Sequence, residues 1–143
     1  MPTDSHASLS PHGRPRKVID HQLDRQRVLR RVRSGDISAG QVRNATPSLM
    51  SSADVLGTVV ERACPLCGAH TLRETLWIHG AALGEKSGTA RSVREIDGVV
   101  EAFPELTIHT VEVCMTCRWN FLIREDIIGS GSAFDNRPGD SIS

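Results

Sequence analysis

The sequence predicts an α+β fold, with N-terminal helices and a C-terminal set of antiparallel strands. Three observations carry that prediction. Up to Gly57 the apolar residues recur at helical spacing between capping signals. From Thr58 the pattern changes to short runs rich in β-branched and aromatic residues. Finally, the four cysteines of the 143-residue chain all fall in two Cys-x-x-Cys pairs, each placed between two of those runs.

Residues 1–15 mix Ser, Pro, His and Gly without periodicity and read as a disordered tail, as do residues 130–143. Residues 16–34 read as a helix. No Pro or Gly interrupts them, Asp20 and Asp24 lie in the first half, arginines crowd the last turns, and Ser34-Gly35 offers a stop. The apolar face is untidy: Val18, Val28, Leu29 and Val32 share a side while Ile19 and Leu23 sit nearly opposite. Ser38–Gln41 fits a capping box. Thr46 can cap a further helix with Pro47 at its first position, burying Leu49, Ala53 and Leu56 and closing at Gly57. These elements make residues 16–57 a helical region.

Strands are expected at TVVER, TLRETLWI, LTIHTVEV and WNFLIRE, giving a second unit over 58–129. A loop and helix are inserted in it at 80–104, where Ser92 and Glu95 form another capping box ahead of a helix ending near Ala102.

Composition asks for a staple. Hydrophobic residues make up 38% of the chain and aromatics 3%, with no Tyr, so the apolar core is thin. Neither a signal-peptide run nor an 18-residue apolar segment is present, which places the expected protein in the cytoplasm, off the membrane. In that reducing compartment paired cysteines point to metal or redox chemistry rather than structural disulfides. A Cys-x-x-Cys turn aims two sulfurs at one point, and two facing turns supply the tetrahedral set that Zn²⁺ accepts. Pro65 and Gly68 favour the tight first turn. Cys64, Cys67, Cys114 and Cys117 are therefore the expected ligands of a structural Zn²⁺ in a four-cysteine zinc ribbon. Four thiolates leave no open position for water, so this metal holds a fold and does not hydrolyse anything. An iron or iron–sulfur centre would use the same sulfurs. A thioredoxin-like role would need a helix after the pair, and strand-like runs stand there instead.

Other candidates are weaker. His70, His79 and His109 lie near the ribbon without Cys–His spacing. The stretch GEKSGTARS, residues 84–92, sets Lys86, Arg91 and Ser92 before a helix start and could hold an anion, although it is no Walker loop. Trp77 and Trp119 are expected to cover the metal site. Net charge is zero overall. Yet residues 14–33 carry eight basic side chains against two acids, +6, and the remainder carries −6. Arg25, Arg27, Arg30 and Arg31 on that segment could grip RNA phosphates. No catalytic triad is discernible.

The motifs NATPSLM, CPLCGAHTL, WIHGAALGEKSGTARS and VVEVCMTCRWNFLIR together resemble a family of small uncharacterised actinobacterial proteins that carry a domain of unknown function. The resemblance covers roughly residues 16–129 and implies a helical N-terminal part and a zinc-ribbon-like C-terminal part, with no established activity. Where the family's second helical segment carries a Cys-Asp pair and an aromatic, this chain has Arg43, Asn44 and Ser48. The functional expectation is a non-enzymatic zinc module that docks on a protein or ribonucleoprotein, as zinc ribbons do in transcription and translation machinery. The rival expectations are a small-ligand protein or enzyme using the 84–92 loop with His79 or His109, and a thiol redox sensor.

Overall fold

A computed structural model describes residues 7–9 and 15–129, with side chains from Arg16 onward. Its frame is one antiparallel seven-stranded sheet. In chain order the elements are β1 (Ala7–Leu9), β2 (Pro15–Asp20), α1 (Gln22–Arg33), α2 (Pro47–Leu56), β3 (Thr58–Val59), β4 (Leu72–His79), β5 (Thr89–Arg91), α3 (Val93–Ala102), β6 (Leu106–Cys114) and β7 (Asn120–Ile128). The strands lie in the order β1-β2-β7-β6-β4-β3, and β5 joins the same edge of β4 as β3 does.

The long strands follow from alternation. Leu72, Ile78, Leu106, Ile108 and Cys114 lie on one face by register, and all five are buried. Val111 and Val113 point to the other face. On the first face α3 sets Val100, with Leu83, on Ile78, Leu106, Ile108 and Ile128. Leu29 of α1 packs on Leu72, Cys114 and Trp119 of the same face. The opposite face takes α2, whose Ala53 meets Val113 beside Ala45. The predicted caps form. Thr46 Oγ1 accepts the Leu49 N–H at 3.1 Å, and the Ser92 N–H donates to Glu95 Oε1 at 2.8 Å. The Ser38–Gln41 box opens a single 3₁₀ turn at Ala39–Gln41.

The N-terminal expectation needs correction. Residues 16–20 are not the first turns of a helix; they extend β2 along β7, from Arg16 opposite Ile128 to Asp20 opposite Arg124. Pairing there satisfies the outer edge of β7, and β-branched Val18 and Ile19 suit it. Asp20 then ends the strand and starts α1, its Oδ1 accepting the Gln22 N–H at 2.7 Å. Ala7–Leu9, read as part of a tail, pair with β2. The segment read as a helical region therefore shares one sheet with the cysteine-bearing strands. The tail expected at 130–143 lies outside the described residues. TVVER contributes only the two residues of β3, and Thr89–Arg91 of the expected loop form β5. No helix among the described residues is long and apolar enough to cross a membrane.

Candidate metal centre

The two Cys-x-x-Cys stretches fold into the same turn. In the first, the Cys64 N–H donates to the Ala69 carbonyl at 2.9 Å and the Gly68 N–H to the Cys64 carbonyl at 3.0 Å. In the second, the Cys114 N–H donates to the Trp119 carbonyl at 2.8 Å and the Arg118 N–H to the Cys114 carbonyl at 3.0 Å. Each turn places the residue after its second cysteine in the left-handed region, Gly68 at φ 78° and Arg118 at φ 72°. Gly takes that conformation freely, whereas Arg pays about 1 kcal/mol for it. The Arg118 side chain is exposed. Arg118→Gly should therefore leave the metal-loaded protein as stable as wild type or more stable by up to about 0.5 kcal/mol in urea unfolding, because Gly's unfolded-state entropy offsets most of the relieved strain. A lowered midpoint would contradict it.

The turns face each other. All four Sγ atoms lie within 4.8 Å of one another. Cys64 Sγ is 3.7 Å from Cys117 Sγ, and Cys67 Sγ is 3.7 Å from Cys114 Sγ. A tetrahedron of sulfurs ~2.3 Å from a central ion has edges of about 3.8 Å, so the set fits a tetrathiolate metal. Backbone N–H groups already aim at two of the sulfurs. Leu66 reaches Cys64 Sγ at 3.4 Å, and Thr116 and Cys117 reach Cys114 Sγ at 3.4 Å. Burial pushes the Cys64 thiol up, and pushes Cys117 up to about 12 with its sulfur neighbours adding to it. Burial also opposes ionisation of Cys114, but the amides of Cys117 and Thr116 and the Thr71 hydroxyl outweigh it and bring that thiol to about 6. Thiols so crowded cannot all ionise without a cation among them.

Around the sulfurs lies a polar shell that the sequence did not announce. Glu112 is fully buried. Its carboxylate accepts from Arg25 Nε at 2.8 Å, Arg62 Nε at 2.9 Å, Arg62 Nη2 at 2.8 Å and Trp119 Nε1 at 2.8 Å. Burial raises the Glu112 carboxyl, and these donors overcome it to hold the group below the usual carboxylate range. Arg62, Glu112 and Trp119 each stand two positions from a cysteine. The period of an extended chain would have brought them to attention. Through Arg25 the shell also ties α1 to the metal end of the sheet.

The other predicted residues disperse. Trp119 is fully buried among Cys64, Leu72 and Cys114 and stacks on Phe121, as expected. Trp77 does not cover the cysteine cluster; it lines a depression with Ser48, Ser52 and Val55 of α2. Arg25 turns inward to Glu112, while Arg27, Arg30, Arg31 and Arg33 line an open concavity at the end of α1. Lys86 lies 5.6 Å over the Phe103 ring, Arg91 donates to the Ala90 carbonyl, and Ser92 is engaged with Glu95. A cavity of about 280 Å³ beside His79 is lined by Gly80, Glu105, Thr107 and Ile127 among others, with no residue of 84–92. His70 Nδ1 lies 3.4 Å from the Glu61 carbonyl, near the first turn.

Comparison with known proteins places this architecture. Residues 13–141 match the family model described as "Family of unknown function (DUF5318)". The chain belongs to this family. Uncharacterised proteins of Mycobacterium bovis and Mycobacterium tuberculosis are each 35% identical to this DUF5318 chain over 112 residues, which is 78% of it and 82% of the relative. These relatives support the actinobacterial character read from the motifs. No solved structure matches the chain.

Proposed function

We propose that this DUF5318 protein is a non-enzymatic docking module whose structural Zn²⁺, held by Cys64, Cys67, Cys114 and Cys117, stiffens a surface for a ribonucleoprotein partner. The convergence of four sulfurs from two matched turns carries the reading, because a closed thiolate set leaves the metal nothing to do but hold. The surface it holds is α1. Arg25 anchors that helix on Glu112, and Arg30 and Arg31, with Arg27 exchanging its exposed pairing to Asp24 at 2.9 Å, meet phosphates of RNA in the transcription or translation machinery. The test is binding of a fluorescent single-stranded RNA to the zinc-loaded protein across a salt series. Three phosphate contacts predict a slope of log K against log salt near −2, and Arg30→Glu/Arg31→Glu should reduce affinity at least about tenfold. Absence of binding at low salt, or binding indifferent to the substitutions, rejects the proposal.

One observation favours a second reading. Cys67 is exposed while Cys64 and Cys114 are buried. Hydrogen peroxide could take two electrons from the Cys67–Cys114 pair, forming their disulfide and water and releasing the metal. A sensor of this kind loses zinc under mild peroxide and regains it after dithiothreitol; loss of zinc that thiol does not reverse is oxidative damage.

A further inference from the structure

On the sheet face that carries α2, away from the cysteines, two imidazoles share one carboxylate. His109 and Glu125 are directly opposite each other on β6 and β7, and Ile19 of β2 is opposite Glu125 on its other side. His21 follows β2 and opens α1, its N–H on the Ile123 carbonyl at 2.9 Å. Its Nε2 lies 2.7 Å from Glu125 Oε2, and His109 Nε2 lies 3.4 Å from Glu125 Oε1. The other nitrogen of His21, Nδ1, lies 3.4 Å from Asp24 Oδ2 in the first turn of α1, while Asp24 Oδ1 takes Arg27 at 2.9 Å. The His79 ring on β4 is 4.2 Å from that of His109, centroid to centroid.

The two rings make different demands on protons. A carboxylate only accepts, so an imidazole with a carboxylate on each nitrogen must donate from both, and His21 is fully bonded only as the imidazolium. His109 needs one N–H for Glu125 and stands against a second imidazole, so the neutral ring suits it. The ion pairs of Glu125 among the described residues are both with imidazoles, and its single charge matches one proton and not two. On this face β2 adds only Lys17, exposed and opposite Ile127; Asp20 and Arg124 point to the other face. Burial works against a charge on His21, but the bonds to Glu125 and Asp24 outweigh it and raise the imidazole above its ordinary value. Burial also lowers His109, and the His79 ring adds to it more than Glu125 restores.

We propose that His21, His109, Glu125 and Asp24 form a one-proton clamp that holds the junction of β2 and α1 on β7 within a band of pH and loosens on either side of it. On the alkaline side His21 loses its proton, one ring nitrogen turns from donor to acceptor against a carboxylate, and the start of α1 is released. On the acid side His109 takes up a second proton beside His79, and Glu125 faces two cations with one charge. Linkage fixes the signs. The raised His21 stabilises fully below the ordinary imidazole value of 6.5, and its contribution is lost as pH rises through the folded value. The lowered His109 stabilises above that ordinary value, and its contribution is lost as pH falls through the folded one. The clamp is therefore tightest between the two. Since α1 carries the arginine-lined concavity, its attachment to the sheet responds to pH through a contact that involves no cysteine.

The experiment is an NMR titration of the imidazole signals of the full-length, zinc-loaded protein, assigned through His21→Gln and His109→Gln, with urea midpoints measured at the same pH values. His21 is expected to titrate above the ordinary imidazole value and His109 below it. Glu125→Gln should bring His21 down toward the ordinary value. The midpoint difference between wild type and His21→Gln should be present on the acid side of that value and shrink toward zero on the alkaline side. The difference between wild type and His109→Gln should move the opposite way, with wild type losing ground as pH falls. Two imidazoles titrating together at the ordinary value, a His21 titration indifferent to Glu125→Gln, or a His21→Gln midpoint difference that stays constant with pH overturns the clamp.

Discussion

Cys114→Ser should abolish stoichiometric metal binding and cost at least about 4 kcal/mol of stability, the range reached by few mechanisms other than loss of a metal. Cys114 is fully buried, its sulfur receives the Thr116 and Cys117 amides, and its own N–H and carbonyl close the second turn. A serine oxygen is a shorter and harder donor that reaches neither the ion nor those amides at their present distances. The ion's binding free energy counts as folding free energy wherever the site is absent from the unfolded chain. Losing it also unties Trp119 and Leu29, which pack on Cys114. Cys67→Ser, at the exposed corner, should cost less. Urea unfolding together with metal analysis checks the order. A Cys114→Ser protein that keeps one metal ion, or a wild type whose unfolding ignores a strong chelator, would refute the assignment.

The cysteine centre was legible because its chemistry is local. Two Cys-x-x-Cys turns with strands on either side encode the four sulfurs, and the caps at Thr46 and Ser92 are likewise written within four residues. Residues 16–20 were misread for the opposite reason. Nothing within that stretch forbids a helix, and what decides it is the open edge of β7, more than a hundred positions away, onto which Arg16 to Asp20 pair. The same distance hid the histidine cluster: His21, His109 and Glu125 meet only because β2 joins the sheet. Arg25 looked like one of several solvent-facing arginines, since helical spacing says nothing about which one finds a buried acid.

That acid supplies the second large effect. Glu112→Gln should destabilise the protein by about 3–5 kcal/mol, the cost of removing one partner from a buried ion pair. The amide keeps the shape and one acceptor, so Trp119 Nε1 retains its bond. Its NH₂, however, now confronts guanidinium donors. Arg62 can fall back on Glu74, 2.9 Å away, but Arg25 has a side chain only 15% exposed and no other carboxylate in reach among the described residues. Replacing both members, Arg25→Leu with Glu112→Leu, should cost less than the two single changes added, because no uncompensated charge is left inside. The pH dependence fixes the sign. Since the folded Glu112 carboxyl lies below its ordinary value, its stabilisation is present above the ordinary carboxylate range. It is lost as pH falls through the lowered folded value. Wild type and Glu112→Gln should thus differ most near neutrality and converge below about pH 4. A gap that stays constant on acidification would show that packing, and not the charge linking α1 to the metal end, is what Glu112 contributes.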